Sequence, residues 1–95
     1  MEEDLLFVID DVFNISNVGT VVTAKIFNEI KVGDNIIIAS EELTAIGSIW
    51  SIEKFVDGKP QRFEFASNDE NVGVYIEYPK DFVITKGMFV LKANL

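Results

Sequence analysis

The fold is decided by residues 7–38, which read FVIDDVFNISNVGTVVTAKIFNEIKVGDNIII. This stretch is rich in Val, Ile, Phe and Thr, the residue types that fit a pleated, half-buried surface. It divides into β-type runs at 6–15 and 20–27 and a turn-and-strand unit at 30–38. Gly19 lies between the first two runs and can adopt the positive φ that a tight reversal needs. The stretch therefore predicts a hairpin followed by a third strand.

The apolar residues of the first run are spaced in a way that fits either a helix or a strand. Their β-branched and aromatic content favours the strand. One face of that strand would carry Phe7, Ile9, Phe13 and Ile15. Asp11 falls on the same face, where we expect its carboxylate to accept hydrogen bonds from backbone N–H groups. The alternative is that Asp11 lies at a ligand site and contacts a ribose or a base.

Downstream, the same reasoning predicts strands at 44–56, 61–66, 71–77 and 88–92. Asp57-Gly58, between the first two of these, is the strongest hairpin signal in the chain. Six to eight short strands with no convincing helix indicate an all-β domain, either a barrel or a sandwich. We favour one small closed β-barrel spanning residues 1–95, because closure removes the edges of a small hydrophobic sheet. The acidic lead-in at 1–4 is expected to fray.

The charge balance excludes several classes of partner. Sixteen acidic and eight basic residues give a net charge of −8, and the basic residues are spread singly along the chain. A duplex DNA binder needs many cations on phosphates, so duplex DNA is not an expected partner. No apolar run approaches the ~20 residues of a membrane-spanning helix, so we expect no membrane partner. With no cysteine and no secretory leader pattern, the sequence predicts a cytoplasmic protein.

The residue types that serve the commonest catalytic mechanisms are absent. The chain has no histidine and no cysteine, so it lacks an imidazole base and a thiolate nucleophile. Asp10 and Asp11 are adjacent on a predicted strand, so their carboxylates point to opposite faces and cannot act as a dyad. The oxygen-rich loop at 68–71 lacks the ligand spacing of a calcium loop and is predicted to be a solvated turn. We therefore expect a non-catalytic protein with no metal and no other cofactor.

Two aromatic residues have alternative interpretations. Phe13 and Trp50 are predicted to pack in the core or at an end of the barrel. If exposed, they would instead provide platforms on which a base could stack. Lys25, Lys31 and Lys86 are predicted to be solvated surface residues.

Several ordered blocks of the sequence resemble the second domain of elongation factor Tu and related translational GTPases. The opening stretch is similar to the family pattern D-V-F-x-I-x-x-x-G-T-V-V-T-G, followed by I-K-V-G-D-x-I. Residues 48–55 (SIWSIEKF), 71–74 (NVGV) and 81–91 resemble later strands of that domain in the same order. The resemblance covers nearly the whole chain and implies a closed, Greek-key-like β-barrel of the translation-factor type.

The resemblance also implies a set of RNA-contacting residues, because this domain of the family helps to hold the 3′ aminoacyl end of tRNA. The matching positions here are Asp10, Asp11, Phe13, Gly19 and Thr20. Val18 stands where the family often has arginine, so no guanidinium is present there to bind a phosphate. Ala24 replaces a glycine of the family pattern. No G-x-x-x-x-G-K-[ST] phosphate loop occurs, so we expect no nucleotide hydrolysis.

Three functions are consistent with these observations. The preferred one is a stand-alone, non-catalytic protein-interaction or adaptor module, because the net charge and the uncharged residue at position 18 favour a protein partner over RNA. The alternative is a binder of the aminoacyl or CCA end of tRNA, or of ribosomal RNA. A third is an orphan barrel whose role is unrelated to translation, because fold does not fix function.

Overall fold

The computed structural model describes residues 4–94, and none of these lies in an α-helix. The strands are β1 (Leu5–Val8), β2 (Asp11–Ile15), β3 (Gly19–Lys25), β4 (Ile30–Lys31), β5 (Asn35–Ala39), β6 (Thr44–Val56), β7 (Lys59–Phe63), β8 (Phe65–Ala66), β9 (Asn71–Glu77) and β10 (Phe89–Lys92). The all-β prediction is confirmed. The ten strands outnumber the predicted six to eight because three predicted runs each divide in two. The predicted frayed lead-in lies outside the described residues except for Asp4.

The main sheet is antiparallel, with strand order β1-β10-β5-β6-β9-β3-β2. β7 pairs with β6, and β4 and β8 form a separate two-stranded ladder. The sheet curls into a half-barrel, and its concave face packs around an apolar core. The largest fully buried side chains of that core are Phe7, Ile9, Ile26, Ile30, Ile36, Ile38, Ile49, Ile52, Val22, Val74 and Val90.

The run at 6–15 is two strands, not the single strand that the sequence predicts. The chain bends at Ile9 and Asp10, where the Ile9 N–H donates to Met88 O (2.9 Å) and the Asp10 N–H donates to Thr23 O (2.8 Å). β1 therefore pairs with β10, whereas β2 pairs with β3. The bend breaks the period of two, so the predicted shared face is wrong. Phe7 and Ile9 are buried, but Phe13 and Ile15 are exposed.

The hairpin between β2 and β3 confirms the predicted role of Gly19, whose φ is +126°. The Val18 N–H donates to Ile15 O (3.0 Å), and Asn17 has a φ of 65°. A positive φ at the third position of a turn favours Asn or Gly, which is a role for Asn17 that the sequence analysis missed. Beyond this turn, Val22 and Ala24 of β3 are buried in the apolar core.

β6 has the bounds that the sequence predicts and is long enough to pair with β5, β7 and β9. Its ladder with β9 shifts register between Ile49 and Ser51, so Trp50 is an extra residue in a β-bulge. The predicted Asp57-Gly58 hairpin is confirmed. Both residues have positive φ, 54° and 79°, as a two-residue type I′ turn requires.

The predicted strand at 61–66 divides at Glu64, because its two halves have different partners. β7 pairs with the far end of β6, and β8 pairs with β4. The carbonyl of Glu64 accepts a hydrogen bond from the Val32 N–H (2.9 Å) between the two ladders. β9, in contrast, has the predicted bounds of 71–77.

Candidate binding site

A groove runs across β2, β3, β9 and β6 on the face of the sheet opposite the core. We call it the Gly73 groove; it encloses about 570 Å³. Its lining consists of Asp10, Phe13, Ile15, Val21, Thr23, Ala24, Glu53, Phe55, Asn71, Val72, Gly73 and Tyr75. Apolar and aromatic side chains with a few polar groups are the usual lining of a binding site.

The groove is deep at its centre because Gly73 has no side chain. Gly73 lies in register between Thr23 of β3 and Glu53 of β6. A Cβ atom placed on Gly73 would lie 3.6 Å from Val21 Cγ1, an ordinary van der Waals contact, and φ at this glycine is not positive. Neither close packing nor backbone strain therefore demands a glycine here. What the glycine leaves is open space on the surface.

Two phenylalanine rings border the groove. Phe13, on β2, is 50% exposed, so of its two predicted packing positions the core is excluded. The bend at residues 9–10 places its side chain on the outer face. Phe55 is 75% exposed and stands on β6 beyond Glu53, the last residue that pairs with β9. Exposed rings beside a concave surface offer apolar area for a binding partner to cover.

Carboxylates supply the charge of the groove. Glu53 accepts a hydrogen bond from the Tyr75 hydroxyl (3.0 Å), and Asp10 is exposed. Partial burial raises the pKa of the Tyr75 hydroxyl above its ordinary value of 10.0, and the hydrogen bond to Glu53 raises that pKa further. Tyr75 is therefore neutral at physiological pH. Of the residues that the structure describes, no lysine or arginine lines the groove.

A second concavity, the Tyr78 cleft, is lined by Val18, Gly19, Thr20, Trp50, Ile76, Glu77, Tyr78 and Lys80. Thr20 is buried, and its hydroxyl donates to Asn14 Oδ1 (2.9 Å). The Tyr78 hydroxyl lies 2.7 Å from Thr20 Oγ1 and donates to it, because the Thr20 proton is already donated to Asn14. This chain of hydrogen bonds fixes Tyr78 at the mouth of the hairpin turn.

Trp50 lines the Tyr78 cleft because the β-bulge turns it to the outside. Its ring meets the Tyr75 ring edge-on, with centroids 4.9 Å apart and an interplanar angle of 65°. Trp50 is 39% exposed, so the core is excluded as its packing position too. The cleft encloses about 620 Å³, close to the volume of the Gly73 groove. Volume therefore does not show which of the two is the better candidate binding site. The chemistry of the lining residues must decide between them.

Asp11 belongs to neither site. Its carboxylate is exposed and lies 3.6 Å from Lys86 Nζ, which is also exposed. The predicted hydrogen bonds from backbone N–H groups do not occur among the described residues. The reason is the same bend, which turns Asp11 out of the apolar face. Lys86, Lys25 and Lys31 are exposed, as the sequence predicts.

The five residues that the resemblance singles out are thus divided among three places. Asp10 and Phe13 line the Gly73 groove, Gly19 and Thr20 line the Tyr78 cleft, and Asp11 faces Lys86.

Sequence reasoning missed Gly73, Phe55, Tyr75 and Tyr78 as possible site residues. A glycine inside a strand marks a close approach by a ligand or another backbone in many sheets, so Gly73 carried a usable signal. The sequence carried no such signal for the exposure of Phe55. The alternation of a strand shows which residues share a face, but not which of the two faces is exposed.

The polar cluster around Lys54 is structural. Lys54 Nζ lies 3.0 Å from both carboxylate oxygens of Glu70 and 4.3 Å from the centre of the Phe63 ring. The Ser67 N–H also donates to Glu70 (2.7 Å). That backbone hydrogen bond, with the Lys54 ammonium, holds the pKa of Glu70 below its ordinary value of 4.5. The acidic side chains of the predicted turn at 68–71 thus face lysines, with Asp69 4.0 Å from Lys25.

Comparison with known proteins gives no family assignment, since no protein-family model matches the chain. Within residues 4–94 there is also no helix with the length and apolar character needed to cross a bilayer.

Proposed function

We propose that this protein is a non-catalytic interaction module, and that the Gly73 groove is where it docks a segment of a partner protein. The observation that carries the proposal is the groove itself: exposed Phe13 and Phe55 rings border an open floor at Gly73. Aromatic anchors around a concave surface are typical of protein-interaction sites. The proposed setting is the cytoplasm.

The charge of the site supports a protein partner over a nucleic acid. Asp10 and Glu53 are the charged residues of the groove, and the whole chain carries a net charge of −8. Both would repel the phosphates of an approaching RNA or DNA strand. A protein segment brings no such phosphates.

We further propose that the curled sheet closes into a barrel of the translation-factor domain 2 type. Its two edge strands, β1 and β2, are joined by the bend at residues 9–10. The Phe27 N–H, just beyond β3, donates to Leu6 O of β1 (2.8 Å), which supports contact between the β1 edge and β3, the strand next to the β2 edge. The closure predicts slow hydrogen exchange at the Phe27 amide. Exchange as fast as in an exposed loop would contradict it.

A second function has an observation of its own in its favour. The Tyr78 cleft combines the rings of Trp50 and Tyr78 with the Lys80 ammonium, beside Gly19 and Thr20. Stacking surfaces with a cation suit a single-stranded nucleic acid end, as in the alternative of a tRNA or ribosomal RNA binder. In that case a CCA-ended oligonucleotide binds at low salt, the Lys80→Gln variant weakens binding, and the Gly73→Val variant does not.

The protein-binding proposal is tested by site-specific photo-crosslinking. A photoreactive phenylalanine analogue replaces Phe55 in the full chain, and the protein is irradiated in a lysate of its source organism. The matched control carries the analogue at Val83, which is 70% exposed but lies outside the groove. We expect one protease-sensitive, nuclease-resistant adduct from position 55 and not from position 83. A nuclease-sensitive adduct, or identical products from both positions, would contradict the proposal.

A further inference from the structure

We infer that the segment bound in the Gly73 groove is an apolar peptide that carries a lysine or an arginine next to its apolar anchor. The inference rests on the proposed function and deepens it by naming the chemistry of the occupant. It is argued from the placement of the two carboxylates relative to the open floor and the two rings.

The two carboxylates flank the floor of the groove on opposite sides. Gly73 on β9 pairs with Glu53 of β6 on one side and with Thr23 of β3 on the other. Asp10 comes next to Thr23, because the Asp10 N–H donates to the carbonyl of Thr23. Neighbouring strands are ~4.8 Å apart. A side chain seated over Gly73 therefore has Glu53 one strand away on one side and Asp10 two strands away on the other.

Neither carboxylate forms an ion pair within the described part of the chain. Among residues 4–94, neither Asp10 nor Glu53 has a lysine or arginine nitrogen within 4 Å. Arg62 stands opposite Glu53 in the ladder of β6 and β7, yet it forms no ion pair with it and does not line the groove. Lys25 is directed to Asp69 instead. Arg62 is close enough for its charge to act on Tyr75 but makes no ion pair with Glu53. A cation of the partner would therefore supply a direct ion pair that the described residues do not form.

The apolar lining complements the other half of such a segment. Phe13 and Phe55 present exposed rings at two borders of the groove, and Val21 and the Tyr75 ring lie between them. An aliphatic side chain over Gly73 removes apolar surface from water on all of these residues. A flanking ammonium or guanidinium can contact a carboxylate and also a ring face, an attraction that adds to the ion pair.

The test uses three short synthetic peptides and the amide NMR spectrum of the full chain. The first peptide alternates leucine with lysine, the second alternates leucine with glutamate, and the third alternates serine with lysine. We expect the leucine–lysine peptide to shift the amide signals of Glu53, Gly73 and Tyr75 saturably. The leucine–glutamate peptide should bind at least tenfold more weakly, and the serine–lysine peptide should cause no saturable shift.

Variants of the protein test whether the preference for the leucine–lysine peptide depends on the Glu53 carboxylate. Glu53→Gln removes the charge and should weaken the leucine–lysine peptide about three- to fivefold, the range of a solvent-exposed ion pair. Glu64→Gln is the matched control, because it removes an exposed carboxylate that lies outside the groove. It should leave the affinity within twofold of the wild type.

Equal binding of the leucine–lysine and leucine–glutamate peptides would overturn the inference, and so would shifts that map away from Gly73. The absence of any shift at Gly73 would overturn it as well. Crosslinking from position 55 decides the proposed function separately. A polypeptide adduct together with no charge preference would leave the protein-binding module standing and remove only the assignment of a basic, apolar segment.

Discussion

At the scale of single residues, two strand glycines, neither of which has a positive φ, have opposite reasons to be glycine. A Cβ on Gly47 would lie 2.5 Å from the backbone oxygen of Glu77, too close to be accommodated without parting β6 from β9. We expect Gly47→Ala to lower the free energy of unfolding by about 2 kcal/mol. Gly73→Ala is the matched control, and it should raise that free energy by about 0.5 kcal/mol through the lower entropy of the unfolded chain. Urea unfolding measures both; equal losses would contradict this account of Gly73.

The Lys54–Glu70 pair gives a prediction with a pH dependence. The pKa of Glu70 is lower in the folded chain than its ordinary value, so the pair stabilises the fold fully above the unfolded pKa. That contribution is lost as the pH falls through the folded pKa. We expect Lys54→Met to lower the free energy of unfolding by about 1 kcal/mol at pH 7 and by much less at pH 2. Urea unfolding at the two pH values measures both. Lys31→Met, at an exposed lysine without an ion pair among the described residues, is the control. A loss of unfolding free energy in Lys54→Met that is the same at both pH values would contradict the ion pair.

At the scale of elements, the β6–β7 hairpin depends on its two-residue turn. Gly58 has a φ of 79°, which a side chain tolerates poorly. We expect Gly58→Ala to lower the free energy of unfolding by about 1 kcal/mol and to loosen the strand end that carries Phe55. Asp57→Asn should be neutral, because Asn-Gly is equally suited to a type I′ turn. Urea unfolding and the amide signals of residues 54–62 check both variants. Equal effects would contradict the assigned turn.

The elements also separate what the sequence could predict from what it could not. β6 and β9 were predictable because local signals bound them. Asp57-Gly58 follows β6 directly, and Pro79, which cannot donate to a ladder, comes two residues after the end of β9. The break at Ile9–Asp10 was not predictable, since it depends on β1 pairing with β10, a strand near the other end of the chain. The exposure of Phe13, and with it one border of the candidate site, follows from that distant pairing. Local periodicity contains no information about it.

For the whole molecule, the net charge of −8 makes the folded chain repel itself. Salt screens that repulsion within about 8 Å at physiological ionic strength. We therefore expect the midpoint of thermal unfolding to rise by a few degrees between low salt and 0.15 M NaCl. Neutralising Glu41 and Glu42 together, both exposed and outside any ion pair among residues 4–94, should reduce the rise. A midpoint that falls with salt would contradict this expectation.

The docking role of the Gly73 groove is tested most directly by filling its floor without damaging the fold. Gly73→Val places a β-branched side chain in a strand that can accept it, so the free energy of unfolding should stay equal or rise. In the same variant, the polypeptide adduct formed from position 55 should fall about tenfold, the loss expected when a central anchor pocket is blocked. An undiminished adduct from a variant that unfolds like the wild type would contradict the account.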